Sequence, residues 1–262
     1  MTRKDRLDPD AINNNLKTKR VGRKIMVYKS TSSTNDIAAE YAKNKNNDGL
    51  VIFAEEQTAG RGRAGTGWFS NPGDSILCSI VLTECGISGE LLSLAVAVSA
   101  AEAVGKTASS NAKIKWPNDI ILKGKKVAGI LLESKRRSGR NIYILGIGIN
   151  CHQKRIEFPE ELRKTATSID AENRTICDRI SLAKRLLTSV DRWLEIAEKN
   201  GNRVTRRWCS MSLLLNQRVT VIYSGREFTG NCIGIDPEKG LVLQLDRGGV
   251  RMFDAAHTTI AR

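Results

Sequence analysis

Apolar and polar positions alternate along the chain in runs that predict a core of strands and helices. Four runs have the length and β-branched content of buried strands, and they lie at residues 25–28, 50–54, 75–82 and 141–150. Residues 90–106 are apolar apart from a few small or charged positions, which predicts a buried helix. Helical patterns recur at about residues 178–199 and 203–212.

Two further apolar runs, at residues 113–122 and 127–133, are joined by a short turn that contains Gly124. This pattern predicts a β-hairpin. Lys115 and Lys126 would then lie on a rigid element, which suits lysines that hold phosphate groups in fixed positions. The alternative is that both are ordinary solubilising lysines of the surface.

The pattern changes after about residue 216, where short alternating strands are separated by glycine-containing turns. Such spacing is typical of a small β-barrel, so we predict a separate C-terminal domain at residues 214–262. Residues 1–24 are polar and basic with a weak apolar pattern, which predicts a short helix and a linker. The larger domain would then span residues 25–213.

A glycine-rich segment, residues 55–70, follows the second predicted strand. Its four glycines, at positions 60, 62, 65 and 67, each cost roughly 0.5–1 kcal/mol relative to alanine inside a helix or strand, so the segment is predicted to be a loop. Arg61 and Arg63 lie between glycines that let the backbone approach a ligand, which is typical of an anion site. Trp68 offers a flat surface for a base. The alternative is a solvated hinge.

A polar run from Ser30 to Asp36 precedes the helical pattern that begins at Ile37. Ser33 or Thr34 is a suitable N-cap for that helix. Because capping needs only one such side chain, the surplus hydroxyls are also suited to bind a neutral polar group of a ligand. A helix cap with more hydroxyls than it needs is the alternative.

The charge balance, 42 Lys and Arg against 28 Asp and Glu, gives a formal net charge of +14. Such a charge attracts nucleic acids, nucleotides and acidic proteins. Nucleic-acid binding would favour a helix-turn-helix pattern or aromatic residues among basic ones; neither pattern is present, and aromatic residues make up only 5% of the chain. A basic nucleic-acid-binding protein with a C-terminal barrel stays open on charge alone.

The six cysteines form no Cys-x-x-Cys pair and the chain has two histidines, so the sequence indicates neither a zinc site nor a disulfide framework. Cys151 and His152 are adjacent, but neighbours in an extended segment point to opposite faces, which disfavours a nucleophile–base pair. No apolar run reaches the ~18 residues of a transmembrane helix. The charged N-terminus is not followed by a secretory signal, and we expect a cytoplasmic protein without membrane contact.

Four motifs occur in the order and approximate spacing of the biotin protein ligases, and they resemble that family over about residues 25–262. They are Gly60-Arg61-Gly62-Arg63 with Trp68, Lys115-Trp116-Pro117-Asn118-Asp119, Lys126-Val127-Ala128-Gly129-Ile130-Leu131, and Gly146-Ile147-Gly148-Ile149-Asn150. The family converts biotin and ATP to biotinyl-5′-AMP and pyrophosphate, and then transfers biotin to a lysine of the biotin carboxyl carrier protein of a carboxylase. The resemblance implies an α+β fold: a mixed β-sheet with flanking helices, as in class II synthetases, plus a small SH3-like C-terminal β-barrel.

The resemblance also implies which residues bind each substrate. Biotin would contact Ser33, Thr34, Asn35, Gln57, Arg61, Gly62, Arg63 and Lys126, with Gly129, Gly146 and Gly148 leaving room on the sheet. ATP would contact Arg63, Trp68, Lys115, Asn118, Asp119 and Asn150.

Biotin's own carboxylate is the nucleophile in this chemistry, so the site must bring two anions together and neutralise the developing charge. We predict Arg63 and Lys126 for that catalytic role, with Mg²⁺ carried by the triphosphate. Asp119 would either accept the proton of the incoming lysine or bind the Mg²⁺. No other metal ligand from the protein is predicted.

Bifunctional members of the family carry an N-terminal winged helix-turn-helix of about 60 residues, whereas about 24 residues precede the first core strand here. We therefore expect a ligase form without sequence-specific DNA binding. A lipoate or octanoate transferase of the same superfold is a second enzymatic interpretation, although the glycine loop and the Lys-Trp-Pro-Asn-Asp motif favour biotin. The oligomeric state, a homodimer included, and the acceptor carboxylase are open.

Overall fold

A seven-stranded mixed sheet forms the larger part of the computed structural model, which describes residues 5–137, 139–173 and 175–261. Its strands are β1 (Ile25–Tyr28), β2 (Val51–Ala54), β3 (Ser75–Leu82), β4 (Lys113–Lys115), β5 (Asp119–Leu122), β6 (Lys125–Arg137) and β7 (Arg140–Asn150). Their spatial order is β1-β2-β3-β7-β6-β5-β4. Strands β1 and β2 pair in parallel and the other neighbours pair antiparallel.

Helices cover both faces of this sheet. They are α1 (Pro9–Asn13), α2 (Thr34–Tyr41), α3 (Gly89–Thr107), α4 (Ile169–Glu172), α5 (Arg179–Lys199) and α6 (Gly201–Met211). Alternate residues of a strand point to opposite faces, so Phe53 joins the large core with α3 and α5 while Ile52 packs under α2. The predicted buried helix and the two predicted later helices are confirmed.

The same alternation leaves a depression on the face that α2 covers. On β6 and β7 the residues that point into the large core include Ile130 and Ile147. Their neighbours Gly129, Gly146 and Gly148 therefore point to the opposite face. A row of residues without side chains removes volume from that face, and the sheet surface there is open to a ligand.

A second sheet follows α6. Its strands are β8 (Arg218–Tyr223), β9 (Arg226–Asp236), β10 (Gly240–Leu245), β11 (Val250–Phe253) and β12 (Thr258–Ile260), all antiparallel in the order β11-β10-β9-β8-β12. In the described residues β11 and β12 do not pair, so the predicted barrel is an open five-stranded sheet by its hydrogen bonds. The α+β fold class is confirmed, and the predicted boundary at residues 213 and 214 falls between α6 and β8.

The predicted hairpin contains one strand more than the sequence indicated. Residues 116–118 form a turn, with a cis peptide bond before Pro117, and this turn divides the first run into β4 and β5. Strand β6 also extends beyond the predicted residue 133, to Arg137. Lys115 consequently lies on the edge strand β4, while Lys126 lies on β6.

The first described residues pack against the helical layer. Helix α1 confirms the predicted short helix. Asp191 on α5 accepts hydrogen bonds from the backbone N–H groups of Lys19, Arg20 and Val21 at 2.8, 2.8 and 2.9 Å. No helix in the described ranges has the length and apolarity that crossing a membrane requires.

Candidate active site

The depression on the α2 face is a cavity of about 190 Å³. Strands β3, β6 and β7 form its floor, and the start of α2 and the glycine loop (residues 55–70) form its walls. All the predicted substrate-binding residues except Lys115 and Asn150 line it, namely Ser33, Thr34, Asn35, Gln57, Arg61, Gly62, Arg63, Trp68, Asn118, Asp119, Lys126, Gly129, Gly146 and Gly148. Residues far apart in sequence therefore meet at one place.

Trp68 lies flat on the glycines of the floor. A Cβ atom added at Gly148 would lie 2.5 Å from Cε2 of Trp68, and one at Gly129 would lie 2.8 Å from its Cζ3. Real Cβ atoms essentially never show contacts below 3.0 Å, so the indole occupies its position because these residues are glycines. The indole N–H of Trp68 is buried and has no hydrogen-bond partner in the described structure.

A chain of polar side chains closes one end of the cavity. The backbone N–H and the hydroxyl of Thr34 donate to Oε1 of Gln57 at 2.7 and 2.8 Å. The Ser79 hydroxyl lies 2.7 Å from Oγ1 of Thr34 and 2.6 Å from Oδ1 of Asn35. Nδ2 of Asn35 donates to Glu133 at 2.9 Å. Ser33 is the N-cap residue of α2, as predicted, but its hydroxyl makes no capping hydrogen bond. Ser33, Thr34 and Asn35 line the cavity instead.

The linked side chains at this end of the cavity have fewer protons to donate than lone pairs to accept them. Thr34 gives its hydroxyl proton to Gln57, and the single hydroxyl proton of Ser79 can reach either Thr34 or Asn35 but not both. One of those two oxygens therefore keeps a free lone pair inside the cavity. Nε2 of Gln57 brings N–H donors that have no acceptor among the described residues. The polar end thus offers both an acceptor and donors to a neutral ligand.

The glycine loop is held at two points by its arginines. Arg61 donates twice to the carboxylate of Asp36, at 2.9 and 2.6 Å. Arg63 donates to the backbone carbonyl of Ala255, in the turn between β11 and β12 of the C-terminal sheet. Directly after Arg63, Ala64 adopts a φ of 51°, a left-handed conformation that non-glycine residues rarely adopt. The loop is therefore a shaped segment with defined anchors, which disfavours the solvated-hinge alternative.

The other end of the cavity is cationic. Nζ of Lys126 lies 2.6 Å from Oδ1 of Asp119, at an angle outside hydrogen-bond geometry, since that oxygen has no hydrogen-bond partner in the described residues. Burial lowers the pKa of Arg63, and the charges of Asp119 and Glu90 oppose that shift. Two cations and one carboxylate here leave an excess of positive charge, which favours an anionic guest.

Lys115 and Asn150 lie outside the cavity lining. Cross-strand pairing places Lys115, Asp119, Gly129 and Gly148 in one row across the sheet, so Lys115 lies about 10 Å beyond Gly129 at ~4.8 Å per strand. Asn150 is buried and its Nδ2 donates to the carbonyl of Thr167 at 2.9 Å. Lys115 lies where only an extended ligand would reach it, and Asn150 stabilises the neighbouring loop.

Three polar residues of the site were missed in the sequence, namely Thr66 in the glycine loop, Ser79 and Glu133. Ser79 lies inside an otherwise apolar strand, and Glu133 follows directly on the apolar run of β6. A buried hydroxyl in a strand of this kind is a signal that could have found Ser79, because buried polar groups need partners. The position of Glu133 opposite Asn35 depends on the pairing of distant segments and carried no local signal.

Comparison with known proteins agrees with this geometry. Residues 27–150 match a family model described as the biotin/lipoate A/B protein ligase family. A biotin–[acetyl-CoA-carboxylase] ligase of Mycobacterium tuberculosis is 32% identical over 263 residues, which cover 95% of each chain. The chain belongs to the biotin protein ligase family. A bifunctional ligase/repressor BirA of Bacillus subtilis is 31% identical to this ligase over 254 residues, covering 95% of the ligase and 78% of the relative.

Solved structures support the same assignment of the ligase. A biotin protein ligase from Aquifex aeolicus in complex with biotin and ATP superposes with a TM-score of 0.78 at 26% identity, covering 92% of this chain and 99% of that one. A mutant of the Aquifex protein in complex with biotin gives a TM-score of 0.79 at 25% identity, with the same coverage of both chains. The resemblance seen in the four sequence motifs is confirmed.

Proposed function

We propose that the protein converts biotin and ATP to biotinyl-5′-AMP and pyrophosphate, and then transfers the biotinyl group to one lysine of a biotin carboxyl carrier protein. One observation carries the proposal: a neutral donor–acceptor pocket and a pair of cations share a single cavity. Biotin has the matching halves, a neutral cyclic urea and a carboxylate. The Mycobacterium relative is named for acetyl-CoA carboxylase, and we propose a carrier protein of that class as the acceptor.

The polar end suits the urea ring of biotin. A cyclic urea presents N–H donors and one carbonyl acceptor, and the cavity offers a free lone pair on Thr34 or Asn35 together with the amide N–H groups of Gln57. A buried site built to pair both kinds of group rejects analogues that lack them, because its own polar atoms would be left unpaired. Lipoate and octanoate lack the urea, so this pocket favours biotin over the lipoate or octanoate alternative.

Adenylation requires no nucleophile from the protein. A carboxylate oxygen of biotin forms a bond to the α-phosphorus of ATP while the bond to the pyrophosphate oxygen breaks. Arg63 and Lys126 line the cavity and would neutralise the charge that develops on the phosphate. The one thiol at the described lining, Cys78, is buried, and burial raises its pKa well above the ordinary value, so it stays protonated and is not a nucleophile.

Asp119 can serve the second step, in which the acceptor lysine attacks the acyl carbon of the mixed anhydride, displaces AMP and loses a proton. Its carboxylate lies beside Lys126 and lines the cavity. The competing role is ligation of Mg²⁺. Replacing Asp119→Asn separates the two roles in single-turnover measurements, because loss of a base slows only transfer to the carrier lysine, whereas loss of a metal ligand slows pyrophosphate release first.

Mg²⁺ would reach this site with the triphosphate. In the described residues no group of three or more His, Cys, Asp or Glu side chains could hold a metal ion. Mg²⁺ commonly binds through one or two carboxylates plus substrate phosphates, and Asp119 is the carboxylate at the cavity. The ion would supply charge neutralisation on the phosphates when bound.

Calorimetry and mass spectrometry test the proposal. Biotin should bind the protein without DNA, magnesium ATP plus biotin should release pyrophosphate, and a purified carrier domain should gain the mass of one biotinyl group. Lipoate and octanoate serve as matched substrates. Heat from lipoate but not from biotin, or from DNA alone, would contradict the assignment. The absence of operator-specific DNA binding and the cytoplasmic location stay predictions of the sequence, and the oligomeric state, a homodimer included, stays open.

A further inference from the structure

Arg61 is engaged in a way that differs from Arg63, although both lie in the same loop. Its guanidinium makes two parallel hydrogen bonds to Asp36 on α2 and lies 3.6 Å from Oε1 of Glu133 on β6. The hydrogen bond from Arg61 lowers the pKa of Asp36 below its ordinary value. Two carboxylates thus neutralise Arg61, which makes it a poorer partner for phosphate than Arg63, whose described hydrogen bond goes to a backbone carbonyl.

Glu133 has a second contact on the cavity side. Its Oε2 accepts from Nδ2 of Asn35 at 2.9 Å, and Oδ1 of Asn35 lies 2.6 Å from the Ser79 hydroxyl. These two contacts orient the Asn35 amide, which faces a floor where a Cβ on Gly146 would lie only 2.5 Å away. One carboxylate therefore links the anchor of the glycine loop to a polar residue at the end of the cavity proposed for the urea ring.

We propose that Asp36 and Glu133 are positioning residues that hold the glycine loop, through Arg61, closed over the polar end of the cavity and so retain the activated biotin. The inference rests on the proposed function and deepens it. Biotinyl-5′-AMP is a mixed anhydride that water destroys and that modifies any lysine it meets after release, so a closed loop protects both the intermediate and its specificity.

The position of Asp36 supports this role. Asp36 lies directly after Ser33, Thr34 and Asn35, which line the cavity, so the loop is anchored to the same turn of α2 that carries the polar pocket. The loop returns by a bridge between Arg61 and Gly67, which brings Trp68 back onto the floor. The contact between Arg61 and Asp36 therefore limits the movement of residues 61–68 of the glycine loop.

The expected effect is moderate, because the Asp36 and Arg61 side chains are 47% and 39% exposed and water screens such pairs. Asp36→Asn should increase the open fraction of the loop by about two- to fivefold, and Glu133→Gln by a similar factor. Asp36→Glu keeps the carboxylate and should restore most of the closure. Glu40→Gln is the matched control. Glu40 is an exposed carboxylate on the same helix, α2, and its partner is Lys43 just beyond the helix end.

Limited trypsin digestion followed by mass spectrometry measures loop opening, because trypsin must extract the Arg61 side chain to cleave after it. Cleavage after Arg61 should be about two- to fivefold faster in Asp36→Asn and Glu133→Gln than in the parent and in Glu40→Gln. With biotin and magnesium ATP, both variants should also biotinylate an added bystander protein faster than the parent does. Unchanged thermal midpoints would exclude general destabilisation.

Equal cleavage rates in the parent, Asp36→Asn and the control would overturn the proposal. If Glu133→Gln lowers the thermal midpoint, the cleavage rate of Asp36→Asn alone decides the test, because the Asp36 side chain is half-exposed. The digestion without substrates depends on loop position alone, so it can fail while biotin binding and pyrophosphate release succeed. Conversely, faster cleavage of the variants together with no biotin binding by the parent would support the anchoring role of Asp36 and refute the ligase chemistry at this site.

Discussion

At the scale of single residues, the absence of side chains shapes the site as strongly as their presence. Trp68 lies against Gly129 and Gly148, and Asn35 lies against Gly146. The two ends of the cavity therefore depend on different glycines. The cationic end, where Lys126 lies over the Trp68 ring, depends on Gly148, and the polar end depends on Gly146. This separation allows the roles of the two ends to be tested independently.

Gly148→Ala and Gly146→Ala form a crossed pair. A Cβ at position 148 would lie 2.5 Å from Trp68 and one at position 146 would lie 2.5 Å from Asn35, and such overpacking costs about 1–3 kcal/mol. We expect Gly148→Ala to raise KM mainly for ATP and Gly146→Ala to raise KM mainly for biotin. Steady-state kinetics with each substrate varied in turn measures the effect, and an equal rise in both constants for either variant would refute the division.

Arg63→Gly removes the loop cation that is not neutralised by a carboxylate hydrogen bond in the described structure. We expect the variant to form the adenylate but to release it, so that bystander lysines become biotinylated while the yield on the carrier domain falls. Mass spectrometry of a mixture of carrier domain and serum albumin measures both. A variant that retains its intermediate as tightly as the parent would show that Arg63 has no part in retention.

At the scale of elements, hydrophobic periodicity predicted most strands and helices because their burial follows from a local pattern. It missed the division of residues 113–122 into β4 and β5 and the connection through α4, where no long periodic run exists. It predicted a short helix and a linker for residues 1–24, but no docking site for them. Residues 5–24 dock in part through Arg179, a fully buried residue at the start of α5 that donates to Asp5, and no local pattern reveals a partner so far away in sequence.

Arg179 joins three segments. Its guanidinium donates to Asp5 at 2.6 Å and to Glu55, at the start of the glycine loop, at 2.8 Å. Arg179→Ala would leave the carboxylates of Asp5 and Glu55 without their guanidinium partner, and breaking a buried pair in this way costs about 3–5 kcal/mol. Urea unfolding should show a loss of this size, whereas the control Arg185→Ala, on the exposed face of the same helix, should change stability by less than about 0.5 kcal/mol.

At the scale of the whole molecule, contacts between distant segments couple stability to pH. His152, just after β7, lies 2.7 Å from Asp170 on α4 and 3.3 Å from Asp5. Burial alone would lower the pKa of His152, but the hydrogen bonds with Asp170 and Asp5 raise it to about 9. Because the folded pKa lies above the ordinary 6.5, the stabilisation is full below that ordinary value and is lost as the pH rises through the folded one.

The parent and His152→Gln should therefore differ most in free energy of unfolding at about pH 6 and least above the folded pKa of about 9. Denaturant unfolding across this range gives the difference at each pH. His257, an exposed histidine that contacts Asp254 next to the C-terminal sheet, provides the control. The variant His257→Gln should leave the dependence of stability on pH unchanged. A difference between parent and His152→Gln that stays constant with pH would contradict the assignment.

The C-terminal sheet also takes part in the site, through the Ala255 carbonyl that accepts from Arg63. Glu90 at the start of α3 adds to this junction, because burial raises its pKa while the backbone N–H of Ala255 and the charge of Arg63 oppose the shift. The predicted separate domain thus contacts the loop that carries the candidate catalytic arginine. Sequence spacing gave no indication of that contact, since positions 63 and 255 are joined only by tertiary packing.

The sequence by itself determined the family, the α+β class and most of the cavity-lining residues, because glycine spacing, basic residues and strand periodicity are local properties that survive without knowledge of contacts. Only the tertiary structure decided that Ser79 and Glu133 complete the polar end, that Asp36 anchors Arg61, and that Asn150 supports a loop outside the cavity lining. Those outcomes depend on which distant segments pair and in which register. A shift of one residue in the register of a strand moves its side chains to the opposite face of the sheet.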